Sequence, residues 1–320
     1  MDNKEILILG GTGSLGKTLV KILKRDYKPR GIRIFSRDET KQWEFKKELI
    51  ADDYGVENVS FLLGDIRDKD RLKRVMAGVD IVINCAAQKH VPSCEENPLE
   101  AVKTNVLGTA NIIEAALDRN VAQVMHVSTD KAVYPVNLYG ATKTVAEKLI
   151  SNANVYRGGT HRTVFSCVRY GNVLGSRGSI VPLFRSLASS GKDIPITDNR
   201  MTRFFIKLPQ VGQFILDRLQ EMEGGEIFIP KMKGIRICDL AKIIAPDSEK
   251  KVIGIRQGEK LHECLISEEE ARWHITSDLG DYVTLSNTKG VEDPTGEAYT
   301  SQEAAITNEI TEEDLDGMYL

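Results

Sequence analysis

Short runs that are apolar throughout alternate, along the first half of the chain, with longer stretches in which apolar residues recur every three or four positions. Residues 5–9 (EILIL), 31–35 (GIRIF), 59–63 (VSFLL), 79–87 (VDIVINCAA) and 121–129 (VAQVMHVST) have the length and apolarity of buried strands. Between them, residues 17–25 (KTLVKILKR) and 101–119 carry helical spacing. Strands alternating with helices predict a Rossmann-like α/β fold, a doubly wound parallel sheet. Ligands of such sheets sit outside the carboxyl ends of the strands, so the residues that follow each strand are the ones to read for chemistry. After residue 164 the alternation continues (VFSCVRY) but insertions interrupt it, which predicts a second, smaller α/β lobe. A short helix capped by Asp239 is expected over residues 239–245.

The first strand ends in Gly10-Gly11-Thr12-Gly13-Ser14-Leu15-Gly16, and a helix follows. Glycines at 10, 13 and 16 in a strand–turn–helix let a pyrophosphate approach backbone N–H groups at the helix N-terminus. After the second strand come Ser36, Arg37 and Lys41. An arginine there accommodates a 2′-phosphate, so the expected cofactor is NADP, with Asp38 keeping NAD as the lesser option. Asp65 and Ile66 follow the third strand, with Asp65 expected at the adenine amino group. Ala86 and Ala87 end the fourth strand and leave room for the cofactor. Lys89 beyond them faces the cofactor and sugar or sits plainly at the cleft rim, and Asn105 in the next helix completes the expected cofactor set.

The fifth strand ends in Ser128-Thr129-Asp130-Lys131, and Tyr139-Gly-Ala-Thr-Lys143 opens a helix eight residues later. Tyr139 and Lys143 share one helical face. An ammonium beside a phenol, together with the positive nicotinamide of the cofactor, lowers its pKa, so Tyr139 is expected to act as a base. Asp130 and Lys131 are an acid/base pair at the same strand end, and Lys131 as a base would need a depressed pKa.

This combination resembles the extended short-chain dehydrogenase/reductases, and within them the UDP-N-acetylglucosamine 4,6-dehydratases. The stretches STDKAVYPVNLYGATK (128–143), AAQKHVPSCEENPLEAVKTNVLGTANI (86–112), VRYGNVLGSRGSIVPLF (168–184), ITDNRMTRFFI (196–206) and IGIRQGEKLHE (253–263) carry the resemblance over roughly residues 4–285. Configuration-retaining members usually have Met where Tyr139 stands, so the resemblance is to the inverting enzymes that open pseudaminic acid synthesis. It implies Tyr139, tuned by Lys143, as the base at the 4-hydroxyl, Lys131 as the base at C5, Asp130 as the acid for the leaving 6-hydroxyl, and Thr129 as their neighbour. It also implies substrate contacts from Lys89, Tyr170, Asn172, Arg177 and Ser179, with Arg256 on the UDP pyrophosphate and Glu259 on the uridine ribose. Gln257 stands where the family usually has Pro, and Leu9 where many relatives have Thr; neither is expected to alter the site much. UDP-hexose 4-epimerase, retaining dehydratase and non-catalytic NADP-binding regulator are the competing readings, and an epimerase has no use for Asp130-Lys131.

The expected division is an NADP-binding domain over residues 1–165 with returns from later chain, a UDP-sugar lobe over 166–286, and an acidic tail over 287–320. The chain has 43 basic and 46 acidic residues, and nine of the acidic ones fall after residue 290, where there is no Lys or Arg. The preceding body is therefore basic, as suits anionic ligands, and the tail is expected to be a dispensable or oligomer-packing extension. At 41% hydrophobic and 28% charged residues, with no long apolar window, the composition is that of a soluble globular protein. Five widely spaced cysteines without a CxxC, and an N-terminus without a signal-peptide plan, predict free thiols, a cytoplasmic protein and no metal site. The resemblance further implies a homo-oligomer, a hexamer among its forms, with no nucleic-acid or membrane partner.

Overall fold

A computed structural model describes residues 1–158, 162–175, 179–273, 275–278, 280–286, 296–307 and 310–311. Its strands, in chain order, are β1 (Glu5–Leu9), β2 (Gly31–Ser36), β3 (Val59–Leu63), β4 (Ile81–Asn84), β5 (Gln123–Thr129), β6 (Val164–Tyr170), β7 (Asn172–Leu174) and β8 (Ile194–Ile196). They continue with β9 (Thr202–Lys207), β10 (Glu226–Pro230), β11 (Lys233–Arg236), β12 (Lys250–Val252), β13 (Cys264–Ile266), β14 (Ile275–Asp278), β15 (Tyr282–Ser286) and β16 (Tyr299–Thr300).

The large sheet runs β3-β2-β1-β4-β5-β6-β10-β15-β14. It is parallel from β3 through β10, and β15 and β14 close the edge antiparallel. Ile6, Leu7, Ile8 and Leu9 are all fully buried, because helices cover both faces of the sheet. β6, β10, β14 and β15 return to this sheet from beyond residue 163. The smaller lobe is built from the three-stranded sheet β11-β9-β7 and the pair β12-β8, around a core including Phe184, Ile194, Phe205, Ile235 and Leu240.

Three local expectations are changed. The helical stretch at 101–119 is broken: Pro98–Val102 is α-helical, Lys103–Leu107 is a π-helical turn, and Gly108–Asp118 resumes the α-helix. The helix expected at 239–245 is Ile237–Ile244 and starts at Arg236; Asp239 lies in its first turn, 2.5 Å from Arg236 and 2.8 Å from Lys242. The described part of the tail, residues 296–307 and 310–311, packs on the body of the protein. β16 pairs with β13, and the helix Ser301–Thr307 lies on β11. Ser301, Ala304 and Ile310 are buried, and Ile310 joins the core of the smaller lobe. The acidity of the segment hid this, because its few inward-facing residues are small or lone among polar ones. No helix among the described residues is long and apolar enough to cross a membrane, and the five cysteines are unpaired.

Candidate active site

The glycine turn folds as its sequence requires. Gly10 has φ +75°, and a Cβ there would lie 2.9 Å from the Ala86 backbone, so β1 and β4 converge only with glycine at this point. The helix Ser14–Asp26 starts at Gly13 with no side-chain cap and no acidic residue in its first turn. Its N-terminal N–H groups, at Ser14 and Leu15, are therefore left for an anion. Thr12 is buried within the turn.

At the end of β2, Ser36 Oγ accepts from Gln42 Nε2 at 3.0 Å. Asp38 caps the helix Glu39–Ala51 by accepting from Lys41 N–H at 3.0 Å, and its other oxygen pairs with Lys41 Nζ at 2.8 Å. Asp38 and Lys41 thus occupy each other, whereas Arg37 stays 62% exposed with one long contact, 3.6 Å to Asp65. Asp65 accepts from the backbone and guanidinium of Arg67, whose charge holds its carboxyl below the usual range against the opposing effect of burial. Ile66 is buried. Ala86 is half-buried, and Ala87 and Lys89 are exposed on the segment after β4. Asn105, in the π-helical turn, has its amide engaged: Oδ1 accepts from Gln88 N–H at 2.8 Å, and Nδ2 donates to Gln88 O at 2.9 Å and Thr142 Oγ1 at 3.0 Å. It braces the strand-end segment against the helix Leu138–Asn152.

That helix carries Tyr139 and Lys143, both buried. Asn137 caps it, accepting from Gly140 N–H at 2.8 Å. A Cβ on Gly140 would meet the Lys131 carbonyl oxygen at 2.2 Å, so the glycine after Tyr139 lets the helix press against the turn holding Asp130 and Lys131. Thr129 Oγ1 donates to Asp130 Oδ1 at 2.9 Å and is also a hydrogen-bond partner of the Tyr139 phenol. Lys131 Nζ donates to Asp130 Oδ1 at 3.0 Å and to Asn172 Oδ1 at 3.4 Å. Asp130 is fully buried, and its Oδ2 has no hydrogen-bond partner among the described residues. Thr129, Asp130, Lys131, Tyr139 and Asn172 are thus one cluster at the carboxyl end of β5.

The protein groups alone do not lower Tyr139 or Lys131, for which the expectation also counted the positive nicotinamide of a bound cofactor. Burial pushes the Tyr139 phenol up to about 12, and the cation that opposes this is Lys131 rather than Lys143. Lys143 Nζ points away, to Val127 O at 2.6 Å and His126 Nε2 at 2.7 Å, and burial brings it down to about 8. Lys131 is not depressed. Burial lowers it, but Asp130 and Glu263 on either side raise its pKa above the usual lysine value, and it rests as an ammonium. Asp130 goes the other way from a normal carboxylate: burial, aided by the Glu263 charge, raises it against the pull of Lys131.

Of the expected substrate residues, Tyr170 is buried at the end of β6, and Ser179 has a buried hydroxyl with no hydrogen-bond partner among the described residues. Arg177 lies outside the described residues. Arg256 is 67% exposed and paired with Glu259 within one turn. Their loop reaches the cap of the helix Leu138–Asn152 through Gly258 O, which accepts from Asn137 Nδ2 at 2.8 Å, and the turn after β5 through Lys260 Nζ, which donates to Val133 O at 2.6 Å.

The sequence reading did not single out four charged or ionisable residues near the cluster. Glu263 lies 3.3 Å from Lys131. Arg203 is buried on β9 beside Glu263. His126 bridges Asn84 and Lys143. Arg169, 2% exposed, is held by Glu147 and Glu270 and donates to Leu265 O at 2.8 Å. The available signal was a charge inside an apolar strand, as in VFSCVRY and TRFFI, since a buried charge must be paired.

This fold and strand-end chemistry place the chain among the extended short-chain dehydrogenase/reductases, and it belongs to the polysaccharide biosynthesis protein family, whose signature matches residues 6–285. It is 49% identical over 286 residues to the inverting UDP-N-acetylglucosamine 4,6-dehydratase of Campylobacter jejuni, covering 89% of this chain and 83% of that protein. It is also 41% identical to the UDP-glucose 4-epimerase of Rickettsia felis, covering 88% and 83%. Among solved structures, Pen from Bacillus thuringiensis superposes with a TM-score of 0.88 at 36% identity, covering 98% of this chain and 96% of that one.

Proposed function

We propose that this protein is an inverting UDP-N-acetylglucosamine 4,6-dehydratase that works with NADP. The observation that supports it best is the buried Asp130–Lys131 pair, joined through Thr129 to Tyr139 at one strand end. Loss of water needs an acid and a base in addition to the group that handles the 4-hydroxyl, and these residues supply all three.

The uncapped glycine turn and helix N-terminus fit the pyrophosphate of a nicotinamide dinucleotide, and exposed Arg37 fits the 2′-phosphate of NADP. Held there, the nicotinamide would supply a hydride acceptor for C4 and a hydride donor for C6, with no net redox. Tyr139 takes the 4-hydroxyl proton as a phenolate, the form that the positive nicotinamide of the bound cofactor would favour together with Lys131 against the effect of burial, and the resulting ketone acidifies C5–H. Lys131, resting as an ammonium, must lose its proton before it can act at C5. Asp130 stands 3.0 Å away with a raised pKa and is the acceptor. One proton transfer turns the ion pair into an amine base and a carboxylic acid. Expulsion of water from the site favours this neutral pair, because desolvation penalises both charges. Lys131 then takes the C5 proton while Asp130 protonates the departing 6-hydroxyl. Return of the proton to the opposite face of C5 gives inversion. Ser179, Tyr170, Asn172, Lys89, Arg177, Arg256 and Glu259 form the proposed UDP-sugar site, with Arg256 exchanging its Glu259 partner for the diphosphate. The proposed setting is a cytoplasmic homo-oligomer supplying pseudaminic acid synthesis.

Incubation with UDP-N-acetylglucosamine and NADP+, followed by NMR at C5 and C6, tests the reading. A 6-deoxy-4-keto sugar of L-arabino configuration is expected. A D-xylo product shows retention, a 4-epimer without water loss shows an epimerase, and no product leaves a cofactor-binding regulator.

A further inference from the structure

We propose that Glu263 is a positioning residue for the elimination step: its carboxylate faces Lys131 opposite Asp130, orients the amine, and sets the pH range in which the Asp130–Lys131 pair works. The inference rests on the dehydratase reading above.

The geometry is that of a designed counter-charge. Glu263 is 3% exposed at the entrance to β13, and its Oε1 lies 3.3 Å from Lys131 Nζ and 3.9 Å from Arg203 Nε. Oε2 lies 3.3 Å from Lys260 Nζ. An acidic side chain buried to this degree is stable only when paired, and three cations surround it. Its backbone is gripped from the far end of the chain. Glu263 N–H donates to Ser301 Oγ at 2.9 Å, and Ser301 N–H donates to Glu263 O at 2.8 Å. Ser301 Oγ also meets Thr202 Oγ1 at 2.7 Å, which in turn meets His262 Nδ1 at 2.8 Å. Lys131 therefore has two carboxylates on it with unlike surroundings. Asp130 has one cation and a threonine hydroxyl, whereas Glu263 has three cations and a fixed backbone; one oxygen of each, Asp130 Oδ2 and Glu263 Oε2, has no hydrogen-bond partner among the described residues.

That asymmetry decides where the mobile proton goes. Lys131, Arg203 and Lys260 hold Glu263 down to about 2, so it remains an anion while burial drives Asp130 up. The working form of the Asp130–Lys131 pair carries one proton between the two groups. Gain of a second closes activity on the acid side, and loss of the first closes it on the alkaline side. A fixed negative charge beside the pair raises both macroscopic pKa values. Among the described residues, the charged and titratable groups around this cluster are Glu263 itself, Asp130 and Lys131 on the turn after β5, Tyr139 on the helix Leu138–Asn152 with Cys94 near it, Arg203 on β9, and Lys260, His262 and Cys264 on Glu263's own segment. Only Glu263 and Asp130 are negative among them.

The test is the pH profile of kcat for Glu263→Gln, which keeps size and hydrogen bonding but removes the charge. Both limbs are expected to move to lower pH by about one unit, with KM for UDP-N-acetylglucosamine within about twofold of wild type. A purely structural role would lower the profile without moving it, and a profile in the wild-type position overturns the proposal even if its height falls. Glu263→Asp, which keeps the charge but withdraws it, should give a smaller shift in the same direction. It carries the test if the Gln variant melts early, and an unshifted Asp profile then refutes the proposal. Wild-type turnover is measured in the same series. Absence of the 6-deoxy-4-keto product from wild type overturns the dehydratase reading, whereas wild-type turnover with unmoved variants overturns the role of Glu263 alone.

Discussion

Removing the chain after Ser286 is the perturbation that most sharply separates this structure from the sequence pattern, which marks the acidic end as dispensable. Tyr299 packs its ring 5.0 Å from that of Phe204, and its hydroxyl accepts from Met232 N–H at 2.8 Å and donates to Met232 O at 2.9 Å. The ring pair contributes about 1 kcal/mol beyond its buried area. Loss of Ser301 leaves the Glu263 N–H and carbonyl without their partners, at roughly 1–3 kcal/mol for each buried group left unpaired, while the Thr202 hydroxyl keeps His262. Ile310, 3% exposed in the core of the smaller lobe, adds about 2 kcal/mol of apolar burial. Together these come to about 5 kcal/mol, at the lower edge of the ~5–15 kcal/mol that holds a typical domain folded. The truncated protein is expected to melt about 7 °C below the full chain, since unfolding entropy is about 2.1 cal/mol/K per residue. Its turnover should fall at least about tenfold at a temperature where the full chain is stable, because Glu263 loses its anchor beside Lys131. Thermal melts and the NMR product assay read the two effects. A truncated protein with a melting point within about 2 °C and turnover within about twofold of the full chain would refute the reasoning.

Asp130→Asn should lower kcat by about 10²–10⁴-fold while KM changes little, since a general acid acts in the transition state; water loss at near wild-type rate in the NMR assay would remove Asp130 from that role. Arg37→Ala should weaken NADP binding about tenfold or more and leave NAD binding unchanged in a titration, as expected for one lost charge-assisted contact to a phosphate. Arg169→Leu strands the carboxylates of Glu147 and Glu270 and should destabilise the fold by about 3–5 kcal/mol in urea unfolding, with no change in the shape of the pH–rate profile of the protein that remains folded.

Much of the fold was legible because it is written locally. The parallel strands of the first half are wholly apolar, and their glycine turn needs its small residues whatever surrounds it. The placing of Asp130, Lys131 and Tyr139 together follows from the rule that such sheets gather chemistry at strand ends. The π-helical turn at Lys103–Leu107 was not legible, since its apolar spacing is that of an ordinary helix and what distinguishes it is Asn105 reaching Gln88 and Thr142. Nor was the true start of the helix at Ile237, where Asp239 serves its neighbours Arg236 and Lys242 instead of the helix end.

By itself, then, the sequence determined the doubly wound sheet, the glycine turn and the gathering of Asp130, Lys131 and Tyr139 at one strand end, because each depends on residue type and short spacing. Only the tertiary structure decided their charges. Lys131 is held above the usual lysine value by Asp130 next to it in sequence and also by Glu263, which stands 132 positions later in the chain yet lies 3.3 Å away, its backbone gripped by Ser301. Coulomb energy depends on distance in space and on burial, and neither can be read from separation along the chain.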